Sequence, residues 1–168
     1  MFSIESYIAS IQSNLEKHTA ILVVELKKII SYKFDAAVDL LDFSTYTDPT
    51  RCEISIMMFS MAEDANEVFG ENITSNNFAG SVEVLPNVSY HHLQDNQLND
   101  FWDFYEQNDE ELVIKEQQIF TDWFIKCWGK AGGKAFNLPA YFGFHDEANT
   151  YDLQNNRLID SEEKWVQI

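Results

Sequence analysis

Arginine is almost missing from this sequence. Only Arg51 and Arg157 are present, and all basic residues together number 11 against 28 acids, for a formal net charge of −17. Nucleic-acid binders need clustered Lys and Arg to displace counterions from phosphates, so this balance argues against DNA and RNA as partners. It argues equally against adsorption to an anionic membrane surface. Cysteine is scarce as well. Cys52 and Cys127 are too few for a disulfide framework and read as small core residues, Cys127 with its thiol held inert by apolar neighbours. No apolar run approaches the ~20 residues of a membrane span. The opening residues, Met1-Phe2-Ser3-Ile4-Glu5, lack the basic stretch and apolar run of a secretion signal, so a cytoplasmic location in a bacterial cell is expected.

Catalytic signatures are missing too. There is no Gly-x-Ser-x-Gly elbow and no His-x-x-x-His or Cys-x-x-Cys spacing. The stretch Gly129-Lys130-Ala131-Gly132-Gly133-Lys134-Ala135 departs from a phosphate loop. Trp128 and Ala135 stand where that loop needs Gly and Ser or Thr, and the glycines follow a helix, whose C-terminal end has the wrong polarity for phosphate. The adjacent His91 and His92 point to opposite faces of a strand and are expected at exposed positions. His145-Asp146-Glu147 sits at a hairpin tip, and His18 falls on the apolar face of the first helix as a partly buried side chain. No catalytic residue, metal ligand or cofactor is assigned, and the chain is not read as an enzyme. The alternative is a metal-assisted hydrolase of unknown substrate using His145, Asp146 and Glu147; a non-catalytic, self-associating homodimer is a third reading.

What is abundant is apolar and aromatic. Hydrophobic residues make up 45% and aromatics 14% of 168 residues, a folded composition that reads as a single globular domain over 1–168. Ile4, Tyr7, Ile8, Ile11, Leu15, His18, Leu22, Leu26, Ile29 and Ile30 follow the helical period, so a long helix is expected over about 3–31 with Ser3 as N-cap. The β-branched run Ile21-Leu22-Val23-Val24 allows a break near Thr19. A strand over 37–46, with a bulge near Leu40-Leu41, pairs with a second strand in which Cys52, Ile54, Ile56 and Met58 alternate with polar neighbours. Ser60-Met61-Ala62-Glu63 has the pattern of a capping box and predicts a short helix ending at Gly70. Val82-Glu83-Val84-Leu85 is a third strand, cut by Pro86 and extended by Val88 and Tyr90 as an edge. Residues 95–129 read as two helices split near Asn108; a last hairpin follows over 138–144 and 150–153, then a short helix capped by Ser161. Hairpins outnumber crossovers. The expected fold is α+β, a mainly antiparallel sheet with helices packed on one face and a long N-terminal helix.

One segment stands apart. Between positions 95 and 122 the acids are Asp95, Asp100, Asp103, Glu106, Asp109, Glu110, Glu111, Glu116 and Asp122, with Lys115 as the one base. Phe101, Trp102, Phe104 and Tyr105 are interleaved with them. This is either a solvated acidic face over an aromatic core or an interface for a Lys- or Arg-rich protein partner. In the second case Asp100, Asp103, Glu106, Asp109, Glu110 and Glu111 supply charge, and Trp102 and Tyr105 supply buried contact area.

The C-terminal quarter carries Trp123, Trp128-Gly129, Leu138-Pro139-Ala140-Tyr141-Phe142-Gly143-Phe144-His145-Asp146-Glu147, Tyr151-Asp152-Leu153 and Trp165. With the small size and high acidity, it resembles the small cytoplasmic immunity proteins of bacterial toxin delivery systems. That resemblance implies an α+β fold and a role in neutralising a cognate toxin domain, frequently a basic nuclease; it assigns no functional residue.

Overall fold

A computed structural model describes residues 1–72 and 74–166. The chain forms helix α1 (Ile4–Ile30), strands β1 (Leu40–Asp48), β2 (Glu53–Met61) and β3 (Ser81–Ser89), helix α2 (Leu98–Ala131), and strands β4 (Ala140–Phe144), β5 (Asn149–Asp152) and β6 (Arg157–Asp160). A 3₁₀ turn, Ser161–Trp165, follows. The six strands make one sheet in the order β3-β2-β1-β4-β5-β6. Every neighbouring pair is antiparallel except β1 with β4, which run parallel because α2 carries the chain back between them. The architecture is the expected α+β one.

Ser3 caps α1, its hydroxyl accepting from the Ser6 amide at 3.2 Å, as expected. The helix runs unbroken through Thr19. Its β-branched residues carry only a small helix penalty, and Leu22 and Leu26 are fully buried beside them. Thr19 itself is buried and accepts a 2.9 Å hydrogen bond from the Trp123 indole, tying α1 to α2.

Four local expectations are corrected. Residues 98–131 form one helix of 34 residues, with no break at Asn108. Phe101, Tyr105, Leu112, Glu116, Phe120 and Phe124 continue one buried stripe past Asn108, whose side-chain amide donates back to the Phe104 carbonyl at 2.7 Å. Burial on both sides outweighs the weak helix propensity of one Asn and the acidic run after it. No helix follows Ser60. β2 continues to Met61, and the buried Ser60 hydroxyl donates to the Gly80 carbonyl at 2.8 Å instead of capping. The Leu40-Leu41 bulge is absent: β1 and β2 stay in register from Leu40↔Met61 to Asp48↔Glu53. Both leucines are buried because both faces of the sheet are covered here. Leu41 faces the main core, and Leu40 packs with Tyr141 and Ile159 beneath Trp165. The register shifts lie in the β2–β3 pair, around Pro86 on the edge strand. Finally, His91 is buried, not exposed. Its Nδ1 shares a 2.8 Å hydrogen bond with the Ser10 hydroxyl, and its ring stacks on Phe101 at 5.4 Å.

The main core lies between the sheet and the two long helices. Phe43 and Phe142 from the sheet meet Phe124 and Trp128 of α2, with Phe124 stacked on Phe142 at 4.2 Å. The helix ends at Gly132, left-handed at φ +93°, which supplies its C-terminal cap. Gly133 follows against the Trp128 indole, where an added Cβ would fall 2.1 Å from the ring. Among the described residues no helix is long and apolar enough to cross a membrane.

Candidate functional site

The first half of α2 separates its aromatics from its acids. Phe101 is fully buried against Phe2 of the N-terminus and Tyr7 of α1, at 5.3 and 5.4 Å, and Phe104 stacks on Phe2 at 5.9 Å. These rings seal the joint between the two helices. Asp100, Asp103, Glu106, Asp109, Glu110 and Glu111 are all exposed on the rest of the helix. Among the described residues only Glu111 of these six has an ion-pair partner, Lys115 at 3.5 Å. Trp102 is half-buried, edge-on to Phe101 and Tyr105. Tyr105 departs from its expected role. It is buried and turned inward, with its hydroxyl donating to Glu116 at 3.0 Å, so it has little surface to offer a partner. The helical stripe explains this: Phe101 and Tyr105 share the inner face, four residues apart.

Glu116 is the side chain that composition hid among the other acids. It is 7% exposed, and it accepts from two phenols, Tyr7 at 2.5 Å and Tyr105 at 3.0 Å. Burial raises its carboxyl above the ordinary carboxylate value, and the two phenol hydrogen bonds oppose that rise only in part. Tyr7, Tyr90 and Tyr105 are all pushed upward, first by burial and then by the charge of Glu116, so their hydroxyls stay protonated, and those of Tyr7 and Tyr105 donate to Glu116. The Cys52 thiol, near the same charge, is pushed up to about 12 by burial. Cys127 is pushed up to about 11, so both thiols are held in the unreactive form. No Lys or Arg is found paired with Glu116 among the described residues.

A cleft of about 240 Å³ opens beside this carboxylate, between α2 and the ends of the parallel strands β1 and β4. Thr45, Tyr46, Glu116, Phe120, Phe144 and His145 line it, with Gln117 and Glu147 at its mouth. Thr45 is 1% exposed, and its hydroxyl has no hydrogen-bond partner. His145 lies against the Tyr46 ring at 4.7 Å and pairs with Asp146 at 3.4 Å, while the Gln117 amide donates to Glu147 at 3.2 Å. His145, Asp146 and Glu147 do not converge as a metal-ligand set, and among the described residues no group of three or more His, Cys, Asp or Glu does.

No protein-family model, curated protein or solved structure matches the chain.

Proposed function

We propose that this chain is a cytoplasmic binding protein of the immunity or inhibitor type, without catalytic activity, that docks the outer face of α2 over positions 100–111 onto a basic protein partner such as a toxin nuclease domain. The observation that carries this reading is the row of exposed carboxylates on one continuous helix, five of the six without an ion-pair partner among the described residues. The aromatic joint to α1 holds that half of the helix in place, so the charges are presented by a rigid element and not by a loop. A nuclease cleft is positive because it binds phosphates; carboxylates spaced along a helix occupy the same positions in place of substrate. The whole-molecule charge of −17 adds long-range attraction, which raises association rates by roughly 10–10³-fold at low salt. Trp102, half-buried among the acids, is the contact anchor on this face.

The test is charge reversal on the outer face alone. With Asp103→Lys, Glu106→Lys and Glu110→Lys combined, the dissociation constant for the basic partner rises by orders of magnitude while the melting midpoint stays near that of the parent. An unchanged dissociation constant contradicts the assignment.

A further inference from the structure

Glu116 and Thr45 leave two polar needs unmet at the floor of one cleft. A carboxylate offers about four acceptor positions, and the two phenols fill only one on each oxygen. Burying a carboxylate without a counter-charge is costly, and so is burying a hydroxyl without a partner. The cleft meets both needs at once with a ligand that is positively charged and carries several N–H donors. Its walls narrow the choice. Tyr46, Phe120 and Phe144 present aromatic rings, which favour a planar, weakly hydrated cation over a compact ammonium. Glu147 at the mouth adds negative charge and disfavours anions.

We infer that the cleft between α2 and the ends of β1 and β4 binds a guanidinium group, which donates to Glu116 and to the Thr45 hydroxyl and lies against the aromatic wall. The group is carried either by free arginine or by an arginine residue of another protein. This site is separate from the exposed acids of positions 100–111 and stands or falls independently of them.

The experiment titrates the full chain with Nα-acetyl-arginine methylamide, L-arginine, the matching citrulline amide and the matching lysine amide, followed by calorimetry and by NMR. Saturable binding of an arginine compound is expected, with the neutral citrulline amide weaker by about tenfold or more, the loss of a charge-assisted hydrogen bond. Tighter binding of L-arginine assigns a metabolite, and tighter binding of the capped amide assigns a protein residue; both satisfy the inference. Glu116→Gln and Thr45→Val each weaken binding. Thr45→Val also raises the melting midpoint of the ligand-free protein, because it removes a buried hydroxyl that has no partner. Better stability with poorer binding is an outcome that a purely structural threonine would not give. The inference is overturned if neither arginine compound saturates, if the citrulline or lysine amide binds as well, or if Thr45→Val leaves the affinity unchanged.

Discussion

The Tyr7 hydroxyl donates a 2.5 Å hydrogen bond to the Glu116 carboxylate, joining two helices across 109 positions of sequence. Tyr105 donates to the other oxygen from one face of the same helix as Glu116. The bond therefore links α1, α2 and the cleft in a single buried network. Charge-assisted hydrogen bonds of this kind are worth about 1.5–3 kcal/mol each. Tyr7→Phe is expected to lower unfolding free energy by about that amount in denaturant titration. Tyr7→Phe and Tyr105→Phe share one acceptor, so the double variant should depart from additivity. Additive losses would mean that the two phenols act separately.

The same carboxylate makes stability depend on pH. Its folded-state value lies above its unfolded one, mainly through burial. Below the unfolded value both states are protonated and Glu116 costs nothing. As pH rises above the unfolded value, the unfolded chain releases the proton first, and the fold loses stability until the folded value is passed. The groups facing Glu116 are Tyr7 of α1, Tyr105 of α2, Tyr90 and Cys52, all held neutral, with His145 and Glu147 across the cleft. Glu116→Gln removes the titration. The melting midpoint of Glu116→Gln minus that of the parent is expected to increase between pH 4 and pH 8. A pH-independent difference would place the carboxylate in a solvated setting.

The continuity of α2 has its own test. Asn108 lies in mid-helix, so Asn108→Pro removes a backbone hydrogen bond and introduces a clash, costing about 3 kcal/mol or more. Were the helix interrupted there, proline would be tolerated. Equilibrium unfolding distinguishes the two.

Gly133 is needed for space. Gly133→Ala places a methyl 2.1 Å from the Trp128 ring, closer than any contact allows, so indole or backbone must shift. A loss of about 1–3 kcal/mol is expected, with a change in Trp fluorescence. Gly132→Ala is also expected to destabilise, through its φ of +93° and not through contact.

Much of the fold could be read from periodicity, because α1 and the β1–β2 hairpin each bury one regular face. Elsewhere tertiary contacts override the local signal. Ser60 carried the pattern of a cap but spends its hydroxyl on the Gly80 carbonyl inside the sheet. Leu40 and Leu41 resembled a slipped register because a short C-terminal turn covers the second face of the sheet from far along the chain. β6 leaves no pattern in the sequence, because only Ile159 of its four residues is buried and no alternation shows. The exposed acids were legible individually. Tyr105 turns inward because α1 covers that face of α2, a contact that the local sequence does not display. Glu116 did leave a signal: a lone carboxylate on the stripe of Phe101, Tyr105, Leu112, Phe120 and Phe124. The number of surrounding acids concealed it. Thr45 left none, since an unpartnered hydroxyl exists only once the packing around it is known.

The exposed acids of α2 are proposed to engage a basic protein. The most direct measurement captures partners from the native lysate at low salt on the parent protein and, in parallel, on the Asp103→Lys, Glu106→Lys, Glu110→Lys variant. Both are eluted with a salt gradient and each fraction is identified by mass spectrometry. The expected result is one basic protein in stoichiometric yield, released by salt from the parent and missing from the variant. The same proteins on both, or none on the parent at any salt, would rule out that engagement.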